Sequence, residues 1–237
     1  MEFGFYLNSM SDFKAILSSD ECYHIFNRAV GSEKLFLAED NYDYFLNQFC
    51  KFILPISDLF CYSLLPNHFH FFIRMKSADT ICRQMELLHY RYGNDVSLIS
   101  VFLLQQFSNC FNAYTKAFNK QQKRKGKLFM ESFNRKAITT SEYYTKLIHY
   151  IHANPVHHGF CSTIAEWPFS SYNEIVNGHN VRIEHEEIIK WFGSVDEFKM
   201  FHSQPIERKF ATKTGKTSEV FKTSEVFKIK VPPKRDP

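Results

Sequence analysis

Two hydrophobic periods alternate along this chain, and each switch between them marks an element. Cys22 to Val30 is apolar and β-prone and ends at Gly31-Ser32, which predicts a strand. From Glu39 to Leu54 the apolar residues Tyr42, Phe45, Phe49 and Phe52 recur at three- and four-residue spacing, the pattern of an amphipathic helix, and Pro55 stops it. Ile56 to Leu65 reads as a second strand, Pro66-Asn67 as a tight turn, and His68 to Met75 as a third strand running back. Ile81 to Tyr90 is expected to be helical, and Val101 to Lys120 carries the pattern of a long helix. A basic loop, Lys120 to Lys127, leads to an expected strand from Leu128 to Ile138, interrupted by polar residues. Thr140 or Ser141 then caps a helix through about Asn154, closed by Pro155 and Gly159.

Strand–helix–strand–strand–helix–strand is the order of a ferredoxin-like α+β fold, an antiparallel sheet with helices on one face. The helix at 141–154 is an extra element carrying chemistry. Residues 1–21 read as a lead-in, 22–175 as the main domain, and 176–204 as a helical appendix with short helices at Glu184–Phe192 and Val195–His202. From 205 to 237 periodicity is lost. This stretch repeats Thr217–Lys222 as Thr223–Lys228 and holds nine basic against four acidic residues, the composition of a basic, disordered tail.

Composition sharpens this outline. Hydrophobic residues form 44% of the 237, with 26 Phe and only 8 Gly, which excludes a low-complexity chain. The net charge of +4 is unevenly spread: residues 1–119 carry −3 and residues 120–237 carry +7, which points to a polyanionic partner for the second half. The six cysteines include no Cys-x-x-Cys pair and fit reduced, mostly buried thiols in a cytoplasm. No signal peptide and no membrane-spanning run are recognised, so a cytoplasmic location is expected.

Two segments carry candidate chemistry. In Pro66-Asn67-His68-Phe69-His70 the strand alternation puts His68 and His70 on one face, where two imidazoles can share a divalent ion. Two edge histidines beside a turn would give the same spacing. In Tyr150-Ile151-His152-Ala153-Asn154-Pro155 a phenol and an amide lie four residues apart on one helix face. Tyr150 is then a candidate nucleophile and Asn154 a candidate third ligand. Tyr143, seven residues earlier, is the rival nucleophile. His149 and His152 fall off the Tyr150 face, while His157 and His158 lie in the turn after Pro155; all four are assigned to supporting or DNA-facing positions. Lys120, Lys123, Arg124, Lys125 and Lys127 place five charges in eight residues, suited to phosphates, with Arg28, Arg135 and Lys136 as further candidates.

Together these segments resemble the REP-associated tyrosine transposases of the HUH endonuclease superfamily, relatives of insertion-sequence-200-type transposases. The His68-Phe69-His70 signature and Tyr150 to Gly159 carry the resemblance. Tyr23 to Arg28, Gly126 to Phe129 and Trp167 to Tyr172 extend it in the right order, over about residues 22–175. The resemblance implies a single-stranded DNA endonuclease and strand transferase acting through a 5′-phosphotyrosine. By position it implies His68 and His70 as ligands of Mg²⁺ or Mn²⁺, Tyr150 as nucleophile, and Asn154 as third ligand where relatives often have Gln. The implied partner is single-stranded or hairpin DNA in a bacterial cytoplasm, nucleoid-associated when bound, with no membrane; monomer and homodimer both fit. An inactive hairpin-binding protein of the same ancestry and a water-using metal-dependent phosphoesterase are the alternatives.

Overall fold

The computed structural model describes residues 13–90, 97–178 and 182–205, so residues 1–12 of the lead-in and the expected tail beyond Pro205 lie outside the described residues. The described residues up to Gln204 form one compact unit. Its elements run β1 (Cys22–Arg28), α1 (Glu39–Phe52), β2 (Ser57–Leu65), β3 (His68–Met75), α2 (Ala78–Leu87), α3 (Ser97–Gln121), β4 (Asn134–Ile138), α4 (Glu142–His157), α5 (Tyr172–Asn177), α6 (His185–Phe192) and α7 (Val195–His202). The four strands order as β2-β3-β1-β4, with every neighbouring pair antiparallel. This is the ferredoxin-like split sheet that the element order predicts.

The pleat of β3 divides the molecule. Phe69 and Phe71 point to the face covered by α1 and α3, where Phe49 stacks on Phe71 at 4.1 Å between ring centroids, Phe45 meets Phe69 at 5.1 Å and Phe111 meets Phe69 at 5.6 Å. His70 and Phe72 point the other way, toward α4: Tyr144 lies 5.2 Å from Phe72 and Tyr150 5.8 Å from His70. The helices therefore occupy both faces, the two crossover helices on one and the tyrosine helix on the other.

Three local expectations are corrected. The last strand is shorter than Leu128–Ile138. Val30 N–H still donates to Leu128 O, and Met130 N–H to Arg28 O, but Ser132 takes φ +54° and breaks the ladder before Asn134. Second, α4 does not close at Asn154 but runs through Pro155 to His157. A proline so near the C-terminus forfeits one intrahelical bond, to Ile151 O; the turn continues through His158 N–H to Asn154 O at 3.0 Å, and Gly159 ends it with φ +72°. Third, Ser141 is the N-cap residue of α4, as expected, but its hydroxyl makes no cap bond: backbone bonds from Tyr143 N–H to Thr140 O and from Tyr144 N–H to Ser141 O form the first turn.

The segment Trp167 to Tyr172 runs along the outer side of β2. Leu64 N–H donates to Phe169 O, Ser171 N–H to Tyr62 O, and the Trp167 indole to Leu64 O at 3.0 Å. An otherwise open sheet edge is thus covered, and the same segment delivers Ser171 beneath α4. The appendix packs within the unit, Trp191 lying against Phe60 and Tyr144 at 4.7 and 4.8 Å. Before β1, Ala15 N–H donates to Arg135 O, tying residues 14–15 to β4. Among the described residues, no helix is long and apolar enough to cross a membrane.

Candidate active site

His68 and His70 open β3 on its α4 face, with rings 5.3 Å apart and nearly perpendicular. Each ring spends one nitrogen on the protein. His68 Nδ1 lies 2.8 Å from Asn67 Oδ1, and because an amide oxygen only accepts, Nδ1 is the protonated nitrogen. His70 Nδ1 lies 2.9 Å from His24 Nε2, a neighbour supplied by β1. Nε2 is left on both rings.

Above them stands one turn of α4. Tyr150 is only 9% exposed, its ring edge-on to His70 and, at 6.1 Å, to His24. Asn154 is buried, and its Nδ2 donates to Tyr150 O at 2.8 Å, which fixes the orientation of the amide. Its amide lies near enough to act on both the His68 ring and the Tyr150 phenol. The amide thus sits between the candidate nucleophile and the first of the paired imidazoles. His158, at the end of the same helix, packs its ring 4.8 Å from His68.

Electrostatics keep these groups neutral. Removal from water, aided by His158 and Arg28, pulls His68 down to about 3, against a pull upward from Asn154. Burial drives His70 well below the usual range, and neighbouring imidazoles add to it. Burial, with Lys136 nearby, takes His24 to about 3. The Tyr150 phenol is raised by burial, with the Asn154 hydrogen bond opposing the shift. Neutral imidazoles offering Nε2, beside an amide oxygen, suit a divalent ion. Among the described residues no three His, Cys, Asp or Glu side chains converge on one point, so such an ion would need the Asn154 amide alongside the two imidazoles.

The remaining predicted residues divide by location. Arg28 is exposed and pairs across the ladder with His68, at the mouth of the cluster. Lys120 is exposed in the last turn of α3, so the basic loop begins after Gln121 and not at Lys120; Lys123, Lys125 and Lys127 are exposed on the α3–β4 loop, and Lys127 pairs with Glu131. Arg124 is tied down by Asn119, Glu33 and the Lys127 carbonyl. Arg135 donates to Ala15 O at 2.6 Å and lies over Phe133, so its guanidinium serves the sheet edge. Lys136 sits over the Tyr143 ring at 5.8 Å, which places the rival phenol beside β4. His157 is exposed.

His149 and His152 are buried on the far side of α4. His202 Nδ1 donates to Phe198 O at 2.8 Å, so its Nε2 accepts from His152 Nδ1 at 2.9 Å. His152 Nε2 then accepts from the Ser171 hydroxyl at 2.8 Å, and Ser171 Oγ accepts from Tyr62 N–H. This directed chain pins the helix between Tyr150 and Asn154 to α7 and β2. Neither Ser171 nor His202 stood out in the sequence, because the link spans elements far apart in the chain. His24 was also missed as a site residue: β1 alternation gives its face, but the cross-strand register that brings it to His70 is not legible in one strand.

Comparison with known proteins adds one finding. The fold is that of a solved tyrosine transposase. One similar structure is a REP-associated tyrosine transposase bound to a REP hairpin, with a TM-score of 0.50 and 18% identity, covering 71% of this chain and 86% of that one. No family model matches the sequence, and no curated protein matches it. At that identity the likeness speaks to the fold, a four-stranded antiparallel sheet flanked by helices.

Proposed function

We propose that this protein is a DNA endonuclease and strand transferase that recognises hairpin or single-stranded DNA and cuts it by attack of Tyr150. The observation that carries this reading is the Tyr150 ring standing edge-on 5.8 Å from His70, beside the paired imidazoles, with the Asn154 amide one turn later on the same helix. The transposase-like fold supports it, since the similar structure holds a REP hairpin.

His68, His70 and Asn154 would hold Mg²⁺ or Mn²⁺, which when bound supplies Lewis-acid polarisation of a phosphate oxygen. All three are uncharged donors, so the site subtracts nothing from the positive charge offered to a phosphodiester. Tyr150 is protonated at neutral pH, since burial holds its phenol above the ordinary range. As its oxygen bonds to phosphorus, the bond to the 3′ oxygen breaks and the phenol proton is released, balanced by uptake of one proton on the leaving 3′ oxygen. The Asn154 hydrogen bond favours the phenolate and so lowers the cost of that release. The product is a 5′-phosphotyrosine and a free 3′-OH. Because the phosphodiester survives as a covalent ester, an incoming 3′-OH can reverse the step and join strands. Arg28 at the mouth and the lysines of the 120–127 loop would bind backbone phosphates.

The test is incubation with labelled hairpin DNA and Mn²⁺ followed by denaturing electrophoresis. A covalent adduct is expected, absent in Tyr150→Phe and His68→Ala. Hairpin binding without an adduct would favour the inactive binder. Steady turnover of simple phosphoesters, retained in Tyr150→Phe, would favour the water-using hydrolase.

A further inference from the structure

His24 has no part in the chemistry described so far, yet it is the closest polar neighbour the paired imidazoles have on β1. It is 5% exposed, its Nε2 lies 2.9 Å from His70 Nδ1, and its ring sits 4.7 Å from Phe26 and 5.1 Å from His70. Packing alone would be met by an aliphatic or aromatic residue at lower desolvation cost. The two facing nitrogens share one proton, and the side on which it rests decides what His70 can do. If the proton is on His24 Nε2, His70 carries its own on Nε2, which then has no lone pair to give. If it is on His70 Nδ1, Nε2 is a free donor.

We propose that His24 is a positioning residue: it accepts the His70 Nδ1 proton, holding the ring in its place on β3 and presenting Nε2 as the metal-facing nitrogen. The inference rests on the reading of His68, His70 and Asn154 as ligands. A ligating histidine commonly donates its second N–H to a carboxylate or a backbone carbonyl. Here the acceptor is a neutral imidazole. It orients His70 without adding a negative charge, so the full charge of a bound cation stays available to phosphate. The arrangement favours phosphate capture over tight metal retention.

The test uses the full-length protein. Long-range nitrogen–proton NMR on the metal-free wild type reads the His70 tautomer directly, and Mn²⁺ titration followed by electron paramagnetic resonance reads affinity. The expected result is the Nδ1–H tautomer at His70. A loss of about 10–100-fold in Mn²⁺ affinity is expected for His24→Leu. His24→Gln should recover most of that loss, because its amide oxygen can reach the His24 Nε2 position and accept the same proton. An Nε2–H tautomer at His70 in the wild type would overturn the proposal. So would an unchanged affinity in His24→Leu, or a loss that His24→Gln does not mend. If wild-type protein binds no Mn²⁺, the ligand reading fails, while the tautomer still decides whether His24 accepts from His70. If His24→Leu does not fold, the wild-type tautomer and the His24→Gln affinity carry the decision.

Discussion

The two faces of the sheet are made from one strand but governed by different physics. On the α1–α3 face, Phe69 and Phe71 join Phe45, Phe49 and Phe111 in a core held by burial of aromatic surface. On the α4 face, His68 and His70 join His24, Tyr150 and Asn154, where each imidazole and the Asn154 amide has a directed hydrogen-bond partner. Successive residues of β3 alternate between these roles. The aromatic face sets the strand in place with forces that need no orientation. That lets the other face devote its side chains to orienting one another, at the desolvation cost of burying them.

This contrast can be broken most sharply at Tyr150. Tyr150→Phe removes a single oxygen, and the account expects adduct formation to fall below detection while the thermal midpoint of the metal-free protein stays close to wild type. The mirror experiment is Phe71→Ala on the other face. Its cost is expected at about 3–5 kcal/mol in urea unfolding, the usual range for deleting a buried ring, with residual activity tracking the folded fraction. A comparable loss of stability in both variants would erase the division between the faces.

Acid should expose the histidine-rich face next. His24, His68 and His202 have native values near 3, while an unfolded chain protonates near the ordinary 6.5. Between those values the unfolded state binds more protons. Metal-free stability is therefore complete above about pH 6.5 and lost progressively as pH falls toward 3. Urea midpoints across this window check the sign. His202→Phe should flatten part of the slope without touching the site on the other side of α4.

Asn154 is the smaller, sharper probe of the site itself. Asn154→Leu keeps the helix but removes the amide, and a loss of about 10–100-fold in Mn²⁺ affinity is expected by analogy with other groups that orient or complete metal sites. The smallest effect belongs to the loop. Lys123→Ala should reduce the salt dependence of hairpin binding by about one phosphate contact and leave the cleavage step unchanged.

Much of this division was legible in the sequence. Alternation from His68 to Ile73 shows which residues share a face, and the order of elements gives the sheet topology. The helical spacing of Tyr150 and Asn154 puts the phenol and the amide together. What escaped is whatever depends on register between distant segments. His24 meets His70 only because β1 pairs antiparallel with β3 at Phe26–His70. Ser171 reaches His152 only because residues 167–171 lie along β2. The end of α4 was misplaced for a local reason: a proline in the last turn costs a single hydrogen bond, too little to stop a helix already pinned by its packing.

Tyr150 is the residue expected to take up DNA. Incubation of the wild-type protein with hairpin DNA and Mn²⁺, nuclease trimming and mass spectrometry of the peptides would locate the adduct. A nucleotide is expected on the peptide carrying Tyr150, linked through its phenol. A nucleotide on Tyr143 instead, or cleaved DNA with no modified peptide, would contradict it.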